Sequence, residues 1–139
     1  MTRPGTFFTM ASGGLGFGMP AAVGIALAQR DRRVIALIGD GSSMYSIQSL
    51  WSAAQLGLDV TFVVLNNGGY AAMKRHAGLL GFAPGEKVVG IAVPGIRYDQ
   101  LAIAQGCPGE RVTDAQGLHA VLEAALARKG CSLVEVVIG

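Results

Sequence analysis

Two continuous apolar runs, residues 34–38 and 60–65, are each followed by turn-forming residues, the pattern of strands buried on both faces of a parallel sheet. Between them, residues 45–56 place Ile47, Leu50, Trp51 and Leu56 at helical spacing, ending near Gly57. A glycine-rich turn over 13–18 precedes the first run and leads into a helix over 20–30, with Pro20 suited to its first turn. After the second run, Asn66-Asn67-Gly68-Gly69 forms a turn and residues 70–77 a short helix. Residues 78–95 show no period and read as a long loop that could act as a lid or docking segment. A helix over 97–105, a short strand over 110–112, a helix over 114–128 capped by Asp114 and a strand over 131–138 complete the chain. This βαβα alternation predicts an α/β fold: three αβα layers around a parallel sheet with right-handed crossovers.

The 139 residues have room for one domain, 1–139, with one core. Hydrophobic residues make up 51% and charged residues 14%, so the chain carries less solvating surface than an ordinary monomer needs and is expected to bury apolar surface in a homo-oligomer. Arg30, Asp40, Asp59 and Lys74 interrupt the apolar stretches below the about 18–20 residues that a spanning helix requires, so no membrane partner is expected. The net charge of +2 is scattered apart from a short cluster at 30–33, which argues against a nucleic-acid partner. Residues 1–10 lack a secretory pattern, which leaves the cytoplasm as the expected location. Cys107 and Cys131 lack metal-ligand spacing and read as small, reduced core residues.

The candidate chemistry lies where the strands end. Loops at the carboxyl ends of parallel strands open on one edge, and Asp40 and Asn67 both lie there, one or two residues past a buried strand. A carboxylate and an amide oxygen are too few for a calcium cage, but suit magnesium that takes further oxygens from a phosphorylated ligand. Gly41 and Ser42 open the following helix, where backbone N–H groups and the helix dipole favour an anion. Gly39 and Gly41, lacking a Cβ, would let a diphosphate approach the backbone. Either tripeptide alone is weak evidence; the pairing of Gly39-Asp40-Gly41 with Asn66-Asn67 behind two buried strands is much stronger.

That pairing resembles the cofactor motif of the thiamine diphosphate enzymes. Gly13-Gly14-Leu15-Gly16-Phe17, residues 46–55 and Asn66-Asn67-Gly68-Gly69-Tyr70 are similar to the benzoylformate decarboxylase type, over most of 4–75 and more weakly from 78 to 130. The resemblance implies thiamine diphosphate and Mg as cofactors, with Asp40, Asn67 and the carbonyl of Gly69 on the metal. It also implies diphosphate contacts from backbone groups of Gly41, Ser42 and Tyr70. Leu15 would be the wedge that bends the cofactor, and the carbonyl of Gly13 would accept from its amino group, holding an intramolecular base beside the carbon it deprotonates. An ordinary core leucine is the other reading of Leu15. The implied activity is non-oxidative decarboxylation of a small 2-oxo acid; acetolactate synthase-like carboligation and a non-catalytic cofactor-binding or oligomerisation module are the alternatives.

Family members carry the activating glutamate on a pyrimidine-binding domain, so a pyrimidine-binding domain or subunit of the same enzyme is the expected partner, and the chain is expected to be inactive alone. The domain is further expected to be incomplete at its amino end, lacking a leading strand. Neither His76 nor His119 falls where the family places its histidines. His119 reads as a surface residue. His76 falls near Met73, where benzoylformate decarboxylases have an aromatic pocket residue, so both are candidate pocket residues; a solvent-facing histidine beside Lys74 and Arg75 is equally compatible. The run Gly14-Leu15-Gly16-Phe17-Gly18 superficially suggests a dinucleotide fingerprint, but its spacing and the absence of a clear preceding strand argue against it.

Overall fold

The alternation of apolar runs and amphipathic segments folds as four parallel strands with helices on both faces, in a computed structural model that describes residues 4–83 and 86–138. In chain order the elements are α1 (Gly18–Ala28), β1 (Val34–Gly39), α2 (Asp40–Ser43), α3 (Ser49–Gln55), β2 (Val60–Asn66) and α4 (Ala71–His76). A 3-10 turn over Ala77–Leu80 follows, then α5 (Tyr98–Ala104), β3 (Gly109–Val112), α6 (Ala115–Ala127) and β4 (Ser132–Val137). The strand order is β1-β2-β4-β3, every pair parallel, with Val34 opposite Val60 and Val64 opposite Glu135.

Side-chain alternation divides the sheet into two unequal faces. Ala36, Ile38, Phe62, Val64 and Leu133 meet Met19, Ala22 and Ala26 of α1, Leu50 and Ala53 of α3, and Tyr98 and Ala102 of α5 in the main core. On the other face Val112 and Val134 pack with Ala125 of α6 in a smaller cluster. Asp114 caps α6 as its sequence predicts, accepting from the N–H of Gly117 at 2.8 Å. Cys107 and Cys131 are both free and buried.

Three sequence expectations are corrected. The run over 34–38 is not buried on both faces: Ile35 is 59% exposed and Leu37 68%, because β1 is an edge strand and α6 covers only the β3–β4 side. The run over 60–65, flanked by β1 and β4, matches the fully buried pattern closely. The helix expected over 45–56 shrinks to Ser49–Gln55, since residues 40–48 are taken by the single turn α2 and further turns. Its buried stripe is Leu50 and Ala53 with Ile47 beside them, while Trp51 and Leu56 face outward.

The loop over 78–95 is also more specific than its sequence suggests. The part around Ile91 to Val93 docks on the turn after β2, where Gly69 and Ala92 form an antiparallel bridge, Tyr70 N–H donates to Ile91 O (2.8 Å) and Val93 N–H to Gly68 O (2.8 Å). Residues 84 and 85 of this loop lie outside the described residues.

Candidate metal and diphosphate site

β1 and β2 are adjacent and in register, Gly39 opposite Leu65, so the residues that follow them emerge side by side at one edge of the sheet. The N–H of Gly69 donates to both Asp40 Oδ2 (2.9 Å) and Asn67 Oδ1 (3.1 Å). Two oxygens that share one donor must be near neighbours, so the predicted convergence of carboxylate and amide is met. The Gly69 carbonyl belongs to the same turn and accepts from Ala71 N–H at 3.2 Å. A side chain on Gly69 would strike the Ile91 carbonyl, so the docked loop requires glycine there.

The decisive feature is electrostatic. Asp40 is 2% exposed, yet among the described residues no basic side chain pairs with it. A buried carboxylate needs a compensating cation or strong hydrogen bonds, and one shared N–H is poor compensation. The donor set of carboxylate, amide oxygen and main-chain carbonyl consists of hard oxygen ligands of the kind magnesium takes, leaving further positions for phosphate oxygens or water. These residues therefore fit a magnesium ion bearing a diphosphate. Beneath them Tyr98 is fully buried, and its hydroxyl has no hydrogen-bond partner although Ser43 lies close. Burial, with the charges of Asp40 and Glu135 nearby, pushes the Tyr98 phenol well above its ordinary range.

The glycine-rich turn is tied to this edge: Gly16 N–H donates to Ser42 Oγ at 3.1 Å. Gly16 has φ +84°, and a Cβ there would lie 2.7 Å from Tyr45 Cβ, so only glycine lets the turn pack this closely. Leu15, on the same turn, is 50% exposed, which excludes the core-leucine reading in this chain. Gly13, at φ +61°, has open space around it. No strand precedes Gly13 among the described residues.

Two details of the expected anion site change. α2 has only one turn, so its dipole is slight, and what it offers is first-turn N–H groups, including those of Gly41 and Ser42, that have no intrahelical partner. The N–H of Tyr70 is not free for a diphosphate, since Ile91 O accepts from it. The Tyr70 ring instead lies against Gly41, where a Cβ would come within 2.5 Å of two ring carbons, so glycine at 41 serves ring packing. Gly39 has open space on its Cβ side.

Met73 and His76 both lie exposed on α4, with His76 Nδ1 2.7 Å from Ala72 O; the structure does not bring them to the Asp40 turn through any hydrogen bond. His119 is an exposed surface residue, as expected, 3.5 Å from Glu123.

Sequence reasoning missed the buried polar group beside the site. Glu135 of β4 is fully buried; its Oε1 accepts from Asn66 Nδ2 (2.7 Å) and Arg111 Nε (3.2 Å), and its Oε2 from Asp99 N–H (3.3 Å). The available signal was a carboxylate in the middle of the apolar run over 131–138.

A parallel α/β sheet with oxygen donors gathered on the turns at its carboxyl edge is the arrangement of a phosphate-ligand-binding α/β domain. Comparison with known proteins specifies it further: residues 1–136 match the family described as "Thiamine pyrophosphate enzyme, C-terminal TPP binding domain", and the chain belongs to that family. Its cofactor is accordingly thiamine diphosphate. It is 44% identical over 138 residues to benzoylformate decarboxylase of Pseudomonas aeruginosa, covering 98% of this chain and 25% of that protein. Acetolactate synthase isozyme 1 large subunit of Escherichia coli is 34% identical over 140 residues, covering 98% of this chain and 24% of that one. Among solved structures, the thiamine diphosphate-dependent 4-hydroxybenzoylformate decarboxylase of Rhodococcus jostii superposes with a TM-score of 0.85 at 45% identity, over 93% of this chain and 24% of that one. The chain thus spans about a quarter of the length of these relatives. No helix among the described residues is long and apolar enough to cross a membrane.

Proposed function

We propose that this chain is the diphosphate- and magnesium-holding part of a cytoplasmic thiamine diphosphate-dependent 2-oxo acid decarboxylase of the benzoylformate decarboxylase type, working in an oligomer with a pyrimidine-binding domain or subunit. The observation that carries the reading is the buried Asp40, which pairs with no basic side chain among the described residues and shares the Gly69 N–H with Asn67. Asp40, Asn67 and the Gly69 carbonyl hold the magnesium ion, and the first-turn N–H groups of Gly41 and Ser42 receive the diphosphate. Leu15 supplies an exposed apolar support for the body of the cofactor, and the Gly13 carbonyl an acceptor for its amino group. The cofactor, when bound, supplies the electron sink for the carbon that loses carbon dioxide. Met73 and His76, exposed on α4, are assigned to the substrate pocket by the resemblance alone, and on that assignment His76→Phe is expected to change which 2-oxo acid is preferred.

Carboligation of the acetolactate synthase kind is the second reading, supported by the 34% identity to that relative; the greater similarity to the benzoylformate decarboxylase places it second. Calorimetric titration of the chain with thiamine diphosphate tests the site: binding is expected to require magnesium and to be lost in Asp40→Ala and Asn67→Ala. Binding indifferent to magnesium contradicts the assignment. Turnover of benzoylformate is then expected only when a pyrimidine-binding partner is added. Magnesium-dependent binding without turnover in that mixture would favour a non-catalytic module.

A further inference from the structure

The residue that supports the metal turn from beneath is Glu135, which belongs to neither the ligand set nor the diphosphate contacts. Asn66 immediately precedes the candidate ligand Asn67, and its side chain bridges two groups: Oδ1 accepts from Gly68 N–H (3.0 Å) while Nδ2 donates to Glu135 Oε1 (2.7 Å). Glu135 Oε1 also accepts from Arg111 Nε (3.2 Å), so as an acceptor it meets the NH2 end of the Asn66 amide and leaves the amide oxygen towards Gly68. That orientation fixes the turn at Gly68, whose φ of +74° lets the chain reverse and bring the Gly69 N–H onto Asp40 and Asn67. Glu135 is fully buried and faces Val64 across the β2–β4 pair, on the same side of the sheet as Asn66 one pleat further on. Its other oxygen accepts from Asp99 N–H at the start of α5, next to Tyr98, which lies under the Asp40 turn.

We infer that Glu135 is a positioning residue for metal binding: through Asn66 it holds the turn over 66–69 in the conformation that presents Asn67 and the Gly69 carbonyl to the cation. The metal consequence rests on the function proposed above; the turn itself is a property of the metal-free chain and can be tested apart from it. Removing an outer residue that orients a ligand commonly weakens metal affinity by about 10–100-fold.

The test uses Glu135→Gln and Glu135→Met, with Arg97→Met as a control that breaks the neighbouring Arg97–Asp99 pair (2.7 Å) without touching Asn66. Two quantities are read. Amide hydrogen exchange in the metal-free chain should show faster exchange at Gly68 and Gly69 in both Glu135 variants, relative to the Val34 amide, which donates to Asp59 O (3.0 Å) away from the metal turn. Manganese binding in the presence of thiamine diphosphate, followed by electron paramagnetic resonance, should weaken at least about tenfold in Glu135→Met and less in Glu135→Gln. Asn66→Ala should weaken it similarly, and the Asn66→Ala/Glu135→Met pair no further than either alone. Arg97→Met should lower the unfolding temperature and leave both quantities at wild-type values. Unchanged Gly68 and Gly69 exchange in both Glu135 variants overturns the positioning role. Faster exchange with no manganese binding even in the wild-type chain overturns the metal-site reading instead, and with it the metal consequence of the inference.

Discussion

Among the described residues three side-chain carboxylates are buried, and they are buried in two different ways. Asp99 receives two hydrogen bonds from Arg97, 2.9 and 2.7 Å, and one from Gln100; Glu135 is met by Arg111, Asn66 and a backbone N–H. Asp40, at the carboxyl edge of the sheet, has one shared N–H and no basic neighbour within ion-pairing distance among the described residues. The first two are stabilised within the chain, whereas the third meets no such partner among the described residues. Burial of a carboxylate says little about function; the absence of an internal cation beside it says a great deal.

Variants can break that contrast from either side. The largest effect is expected for Arg111→Met, which strips the basic partner from the fully buried Glu135 and should cost about 3 kcal/mol in denaturant unfolding. A loss below about 1 kcal/mol would mean that Glu135 does not depend on that pairing. Asp40→Asn should act in the opposite direction. The amide keeps an acceptor for the Gly69 N–H and removes an uncompensated charge, so the metal-free chain should gain about 1 kcal/mol while losing its magnesium-dependent stabilisation.

Acid sharpens the comparison. Arg97 beside Asp99 holds that carboxyl far below the usual carboxylate range. Its contribution to stability is therefore complete above about pH 4, the ordinary aspartate value, and disappears only as the pH falls towards the depressed folded value. Arg97→Met should bring the folded value back up and move the acid-unfolding midpoint to higher pH, read by circular dichroism. An unmoved midpoint would deny the Arg97 coupling. At the bottom of the scale stands the exposed His119–Glu123 pair, 82% and 72% exposed, where His119→Ala should change stability by less than about 0.5 kcal/mol.

The same contrast explains how much was legible in the sequence. The apolar runs of β1 and β2 and the turn residues behind them predicted a parallel sheet and brought Asp40 to Asn67, because strand ends are local and parallel neighbours share an edge. Exposure was less legible: Ile35 and Leu37 look as buried as Val63 in sequence, and only the strand order makes β1 an edge. The Glu135 cluster depends on pairing between β2, β4 and β3 and on α5, contacts separated by up to 69 positions, which a local pattern cannot contain. Tyr70 was misjudged for a similar reason, since the acceptor of its N–H comes from a loop with no period.

Manganese and thiamine diphosphate soaked into crystals of the chain would locate the metal from its anomalous scattering and show which residues hold it. One peak is expected about 2.0–2.3 Å from oxygens of Asp40, Asn67 and the Gly69 carbonyl, with diphosphate oxygens on its far side. A diphosphate bound with no metal between it and Asp40, or a metal held elsewhere, would contradict the metal assignment.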